Sequence, residues 1–145
     1  MAKLRLRVVT PEKTKFDDDV NMVIVRCVSG DWGILPGHEA YSAALGYGVL
    51  RIIDESGEHR MAIFGGIARV MNNVVTILTQ SALWPDDIDL QLAEEEQERI
   101  RRRMKMHQDS ASLIREQAHL RRTLVKIEVS SYPLISPKPQ TEYEE

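Results

Sequence analysis

Cysteine occurs once in this chain of 145 residues, at Cys27. A single thiol excludes an internal disulfide and any zinc site built from several cysteines. Histidine is sparse too, and none of the four is paired at i,i+4 spacing around a glutamate, which removes the usual helical zinc motif. Long apolar runs are absent: stretches such as Val23-Ile24-Val25 fall far short of the ~20 residues a membrane span needs. The start, Met1-Ala2-Lys3-Leu4-Arg5-Leu6-Arg7, alternates charge with apolar residues and has no apolar block of a secretory signal, so the chain is expected to stay in the compartment where it is made. Neither half has a basic excess. Residues 1–85 carry nine Lys/Arg against nine Asp/Glu, and residues 86–145 carry ten against thirteen, giving the net −3. Nucleic acid is therefore not an expected partner.

Catalytic signatures are missing as well. Gly46-Tyr47-Gly48 lacks the third glycine and the Lys-Ser/Thr pair of a phosphate loop, and Ser29-Gly30 has no glycine two positions before the serine to form a nucleophile elbow. No catalytic residue and no metal ligand is assigned. Cys27 reads as a small core residue within an apolar strand. Asp87 and Asp89 read as helix-start acids favoured by the helix dipole, in preference to a metal pair. The basic run Arg99 to Lys105 follows a run of acids and reads as a solvated, self-paired face.

What is present divides near residue 85. Before it, short β-branched segments alternate with turn formers: Leu4, Leu6 and Val8; Met22 to Val28; Val49 to Ile53; Arg60 to Phe64; Val74 to Leu78. Ser29-Gly30, Pro36-Gly37, Glu55 to Glu58, Gly65-Gly66 and Asn72-Asn73 separate them as turns. This pattern predicts an antiparallel β-sandwich or barrel over 1–85. After it, Pro85-Asp86-Asp87 opens a helix that runs from Ile88 to about His107, with acids first and bases last and Glu95–Arg99 and Glu98–Arg102 pairs. Its apolar face is thin: Leu92, Ala93, Ile100 and Met104. Asp109 or Ser110 caps a second helix to about Val129, with Leu113, Leu120, Leu124 and Ile127 on one stripe. So short a link makes the two helices an antiparallel hairpin over 86–130, dependent on a partner and suited to a mobile arm. Residues 131–145, with Pro133, Pro137 and Pro139, read as an extended tail. The fold class is α+β.

Residues 31–41 gather an acid, an aromatic and a histidine around a turn: Asp31-Trp32-Gly33-Ile34-Leu35-Pro36-Gly37-His38-Glu39. Two readings stand, a binding loop on a rigid frame or a structural loop with Trp32 and Ile34 in the core. Together with Val8-Val9-Thr10-Pro11-Glu12, Phe16-Asp17, Gly48-Val49-Leu50-Arg51-Ile52, Gly65-Gly66-Ile67 and Val75-Thr76-Ile77-Leu78, this stretch closely resembles the epsilon subunits of bacterial F-type ATP synthases, over residues 4 to about 129. The resemblance implies a sandwich of about ten strands. It also implies a noncatalytic central-stalk rotor role with the gamma subunit, the ring of c subunits and the alpha/beta catalytic head as partners. The chain would sit peripherally on the cytoplasmic face of the cell membrane, reaching the bilayer only through the complex. Asp31, Trp32 and His38 would face the c-ring, and the hairpin would extend to obstruct ATP hydrolysis.

Some members of that family bind ATP through Ile/Leu-Asp-x-x-Arg-Ala on the first helix plus bases on the second. Here the segment is Ile88-Asp89-Leu90-Gln91-Leu92-Ala93, and Leu92 cannot supply the charge-assisted hydrogen bonds of the missing arginine. Asp89, Arg115, Arg122 and Lys126 are what remains of a nucleotide site, and no cofactor is expected. Glu39-Ala40 also departs from the Ala-Pro that usually follows the histidine. The second helix carries Arg115, Arg121, Arg122 and Lys126 against Glu116 between Ser110 and Ile127, a local net of +3 assigned to the inhibitory arm. Two alternatives remain: an ATP-sensing regulatory module and a free-standing adaptor.

Overall fold

A computed structural model describes residues 2–106 and 109–131 of the chain. Eight strands come first: β1 (Leu4–Val9), β2 (Thr14–Val20), β3 (Met22–Cys27), β4 (Gly30–Ile34), β5 (Tyr41–Asp54), β6 (Gly57–Met71), β7 (Val74–Leu78) and β8 (Ala82–Leu83). A 3-10 turn at Pro85–Asp87 leads to α1 (Leu90–Met106) and α2 (Ser110–Ser131). The expected tail lies outside the described residues, apart from Ser131.

The alternation of β1 works as its sequence dictates. Leu4, Leu6 and Val8 are buried, while Arg5 and Arg7 face out and meet Asp17 and Asp19 of β2, with Arg5 Nε 2.8 Å from Asp17 Oδ1. The strands form one hydrogen-bonded sheet in the order β2-β1-β7-β6-β5-β3-β4, with β8 on β6. It curls so that β2 packs against β5 across the core, and Leu6, Val23, Ile34, Leu50, Ile52 and Ile77 close a single apolar cluster. One pairing departs from the antiparallel expectation: β1 and β7 run parallel. Partner choice between distant segments leaves no trace in local periodicity.

Among the described residues the strands number eight instead of about ten, and the reason lies in the glycines. Gly65 and Gly66 adopt φ of 80° and 116° and bend β6 without ending it. A Cβ on Gly66 would collide with the Leu78 carbonyl oxygen. At this corner the inward parity flips: Met61 and Ile63 face the core before it, Ala68 and Val70 after it. The partner β5 flips in step, from Leu45 to Leu50 and Ile52. Each long strand thus serves both layers, and what reads as a turn is a bend. Asn72 and Asn73, by contrast, form a true two-residue hairpin turn, with φ of 51° and 64°.

The helices start later than Pro85 suggests. Asp87 accepts a 3.0 Å hydrogen bond from the Trp84 amide and closes the 3-10 turn, and Asp89 caps α1 by accepting from the Leu92 amide at 3.1 Å. Asp109 caps α2 through the Ser112 amide, also at 3.1 Å. Of the expected ion pairs on α1, Arg102 instead donates to the backbone oxygen of Glu98, and Glu95 accepts from Gln91. Ala93 and Ile100 are buried, whereas Leu92 is 57% exposed. The stripe on α2 is also corrected. Leu124 is exposed, and the buried positions are Thr123, Val125 and Val129. A helix with one neighbour buries one stripe, but α2 has two, α1 on one side and the outer face of β5 and β6 on the other. There Val125 and Val129 pack on Ala62 and Phe64.

Candidate functional site

The residues singled out around the Pro-Gly turn do not form one cluster. Asp31 and Trp32 lie on the edge strand β4, not in a loop, and consecutive strand residues point to opposite faces. Trp32 lies half-buried against the core opposite Val25, and Ile34 two residues on is fully buried. Asp31 faces out opposite Arg26, whose Nε and Nη2 reach the two carboxylate oxygens at 2.5 and 3.3 Å. Arg26 carries no obvious signal in the sequence beyond its mirror position to Asp31 across the two-residue Val28-Ser29 turn. With Arg51 and Arg60 it edges a polar recess of ≈ 320 Å³ that Glu128 of α2 also lines.

Trp32 and His38 are brought together. The Leu35-Pro36-Gly37-His38 segment makes a β-turn in which the His38 amide donates to the Leu35 oxygen at 3.2 Å, with Gly37 at φ 84° where a type II turn requires it. His38 Nδ1 lies 2.7 Å from the Glu39 oxygen, which fixes it as the donor, so Nε2 accepts from the Trp32 indole at 3.3 Å. Tyr41 packs edge-on to Trp32, with ring centroids 5.1 Å apart. The turn is tied to its surroundings by Asn73, whose side chain bridges Gly37 and Lys3. Reasoning from local sequence did not reach Asn73, because the link spans 36 and 70 residues.

A second exposed feature runs across the outer face. Val9, Leu78, Ile67 and Ala44 are successive partners on β1, β7, β6 and β5, and Leu78 and Ile67 are 51% and 53% exposed. Single exposed apolar residues are ordinary, but a row aligned across four strands presents a surface.

Comparison with known proteins settles the kinship. A family model for the β-sandwich domain of the ATP synthase delta/epsilon chain matches residues 3–85. The ATP synthase epsilon chain of Caldicellulosiruptor saccharolyticus is 36% identical over 127 residues, spanning 88% of this chain and 93% of that one. The chain belongs to the ATP synthase epsilon-chain family. The epsilon chain of Alkaliphilus oremlandii is 40% identical over 104 residues, covering 72% of this chain and 78% of its own. Among solved structures, a chain of the Euglena gracilis mitochondrial ATP synthase, in a structure of its OSCP, F1 and c-ring, superposes with a TM-score of 0.79 at 25% identity, covering 91% of this chain and 83% of that one.

Of the residues left over from the nucleotide motif, Asp89 and Lys126 share one recess, while Arg122 and Arg115 lie elsewhere on α2. Asp89 is occupied as the α1 cap. Lys126 shares a recess of ≈ 280 Å³ with Asp87, Asp89, Leu92 and Glu96, a lining whose acids repel phosphate. Arg122 turns the other way, its guanidinium 4.4 Å from the centroid of the Phe64 ring. Arg115 lies at the far end of the hairpin beside Glu116, which Arg103 reaches at 3.3 Å. Arg103 is fourteen residues beyond Asp89, ~20 Å along α1. Arg115 and Arg121 are exposed on α2. Cys27 is buried, and burial followed by the nearby Asp31 pushes its thiol up, away from the thiolate a nucleophile needs. No described helix is long and apolar enough to cross a membrane.

Proposed function

We propose that this chain is a noncatalytic central-stalk subunit of a bacterial F-type ATP synthase and that its hairpin restrains ATP hydrolysis. The sandwich engages the gamma subunit and the c-ring, with the turn carrying His38 and the adjoining Asp31 and Trp32 facing the ring. The exposed row of Ala44, Ile67 and Leu78 gives an apolar seat for a partner helix. The hairpin reaches the alpha/beta head through Arg115, Arg121, Arg122 and Lys126. The chain sits peripherally at the cytoplasmic face of the membrane, held there by the complex.

The observation that carries the regulatory part is the smallness of the patch seating the hairpin. Val125 and Val129 pack on Ala62 and Phe64 of the sandwich, with Val49, Leu83 and Ile88 at the margin, in a cluster far smaller than the sandwich core. At ~25 cal/mol per Å² so few side chains hold the arm by only a few kcal/mol, a balance that a competing surface can tip. ATP has no place as a ligand in this reading, because Leu92 replaces the motif arginine and the recess that Asp89 shares with Lys126 is lined by Asp87 and Glu96 as well, acids that repel phosphate. Family membership over most of the chain also sets the free-standing adaptor aside.

The test is hydrolysis by assembled synthase with confirmed occupancy of this subunit. Truncation after residue 86, or joint replacement of Arg115, Arg121, Arg122 and Lys126 by Ala, is expected to raise ATP hydrolysis while assembly survives. If both variants hydrolyse no faster than the parent, the arm is not a brake.

A further inference from the structure

We infer that Asn73 is the positioning residue for the Pro36-Gly37-His38 turn, acting from the β6–β7 hairpin through one hydrogen bond to the Gly37 amide. The inference rests on the reading of that turn as ring-facing. Asn73 occupies the second position of the hairpin turn at φ 64°, a conformation that asparagine, aspartate and glycine tolerate and most residues do not. Its backbone oxygen accepts from the Arg5 amide at 3.0 Å, so the residue is anchored to β1. From that anchor the side chain does two things at once. Oδ1 accepts from the Gly37 amide at 3.0 Å, and Nδ2 donates to the Lys3 oxygen at 2.5 Å. The amide orientation follows from its partners, because a backbone N–H demands the oxygen and a carbonyl demands the NH₂.

The consequence runs along the turn. Gly37 is exposed and has no side chain to hold it against the sandwich, and the backbone bond from His38 to Leu35 closes the turn without fixing where it points. The Asn73 bond supplies that direction. His38 follows directly, with Nε2 aimed at the Trp32 indole and Nδ1 on the Glu39 oxygen. Asn73 therefore sets the Trp32–His38 pair through hydrogen bonds to Gly37 and Lys3.

Two variants separate positioning from mere turn formation. Asn73→Gly keeps the backbone conformation and loses both side-chain bonds; Asn73→Asp keeps an acceptor for Gly37 and loses the donor to Lys3. In the ¹⁵N-labelled full chain, N73G should shift the Trp32 indole and Gly37 amide resonances while leaving the buried Trp84 indole in place as a control for the fold. N73D, which keeps the acceptor for Gly37 but sets a carboxylate oxygen against the Lys3 carbonyl, should shift the Trp32 and Gly37 signals less than N73G does. In reconstituted synthase, ion pumped per ATP hydrolysed should fall about twofold or more for N73G and fall less for N73D. Unshifted Trp32 and Gly37 signals in N73G overturn the inference, as does an equal shift in both variants. In the parent chain, Gly37 amide exchange at the rate of an unprotected group overturns it without recourse to any variant. A displaced Trp32 in N73G with parental coupling sinks the ring-facing reading and leaves the positioning of Trp32 by Asn73 standing.

Discussion

The two regions of this molecule are held together by different amounts of the same force. The sandwich closes on a continuous core to which all eight strands contribute, with Leu6, Val23, Ile34, Leu50, Ile52 and Ile77 fully buried. The hairpin buries Ala93 and Ile100 on α1, and Thr123, Val125 and Val129 on α2, and otherwise presents charge interspersed with exposed apolar residues such as Leu92, Ile114 and Leu124. Apolar burial contributes ~1.5–3 kcal/mol per large side chain, so the sandwich folds on its own account while the hairpin is marginal without a surface to lie on. In the proposed function, a rotor part that also carries a movable arm needs this inequality: rigidity where it grips its neighbours, and reversibility where the arm would govern hydrolysis.

The largest expected effect tests that inequality directly. Ile52→Ala removes most of a fully buried side chain from β5 and should lower stability to urea by ~2–5 kcal/mol in one transition. Ile100→Ala removes an equally buried side chain from α1, yet it should speed hydrogen exchange in the helices and leave the sandwich transition where it was. Equal losses in the main transition for both variants would break the comparison and make the chain one cooperative unit.

The same inequality explains what the sequence discloses. The inward sets of β1, β3, β5 and β7 are legible because alternation is a local property, and Asn72-Asn73 is legible because positive φ at both positions selects its residues. Gly65-Gly66 misleads because glycine serves a bend as readily as a turn, and only the neighbouring strand decides between them. The parallel pairing of β1 with β7 is a choice among distant partners. At the site, the meeting of Trp32 with His38 follows from six residues around a Pro-Gly turn. The separation of Asp31 from Trp32 follows only once that segment is known to be a strand. Arg26, Phe64 and Asn73 escape notice because each acts on a residue from another element. The face of α2 escapes because a stripe of leucines looks the same whether a helix has one neighbour or two.

A smaller effect sharpens the comparison from the electrostatic side. Arg51 and Arg60 are directly opposite on β5 and β6, a repulsive placement that Glu58 neutralises with bonds of 2.6 Å from Arg51 and 2.5 Å from Arg60. The bonds from Arg51, with those from Arg60 and against the opposing effect of burial, hold the Glu58 carboxyl below its usual value of 4.5. A lowered folded value means that the stabilisation is fully present above pH 4.5 and is lost as pH falls from there through the folded value. Glu58→Gln should therefore cost ~1 kcal/mol at neutral pH, and its difference from the parent should shrink below pH 4.5. Paired urea titrations across pH 3–7 read this, and a difference that stays constant would remove Glu58 from the account. Because these strands belong to the sandwich, the loss should appear in its transition and not in release of the arm.

The smallest effect decides which state owns Arg122. Its guanidinium lies 4.4 Å from the Phe64 ring centroid, and Tyr47 meets the same ring edge-on at 5.7 Å, so the cation completes an aromatic pair on the outer face of the sandwich. A cation on a ring at a partly exposed site is worth ~0.5–1 kcal/mol, equivalent to a two- to fivefold change in the population of a docked arm. Arg122 cannot make this contact and reach the catalytic head at once. If the docked contact is its main use, Arg122→Ala alone should speed hydrogen exchange in α2 about two- to fivefold and lower hydrolysis, because freeing the arm favours the extended brake. Phe64→Leu should do the same, since it removes the ring and keeps both the apolar contact and the arginine. If Arg122 instead serves the head, Arg122→Ala raises hydrolysis while Phe64→Leu still lowers it. Opposite signs for the two substitutions assign Arg122 to the extended state; matching signs assign it to the docked one, and the brake then rests on Arg115, Arg121 and Lys126.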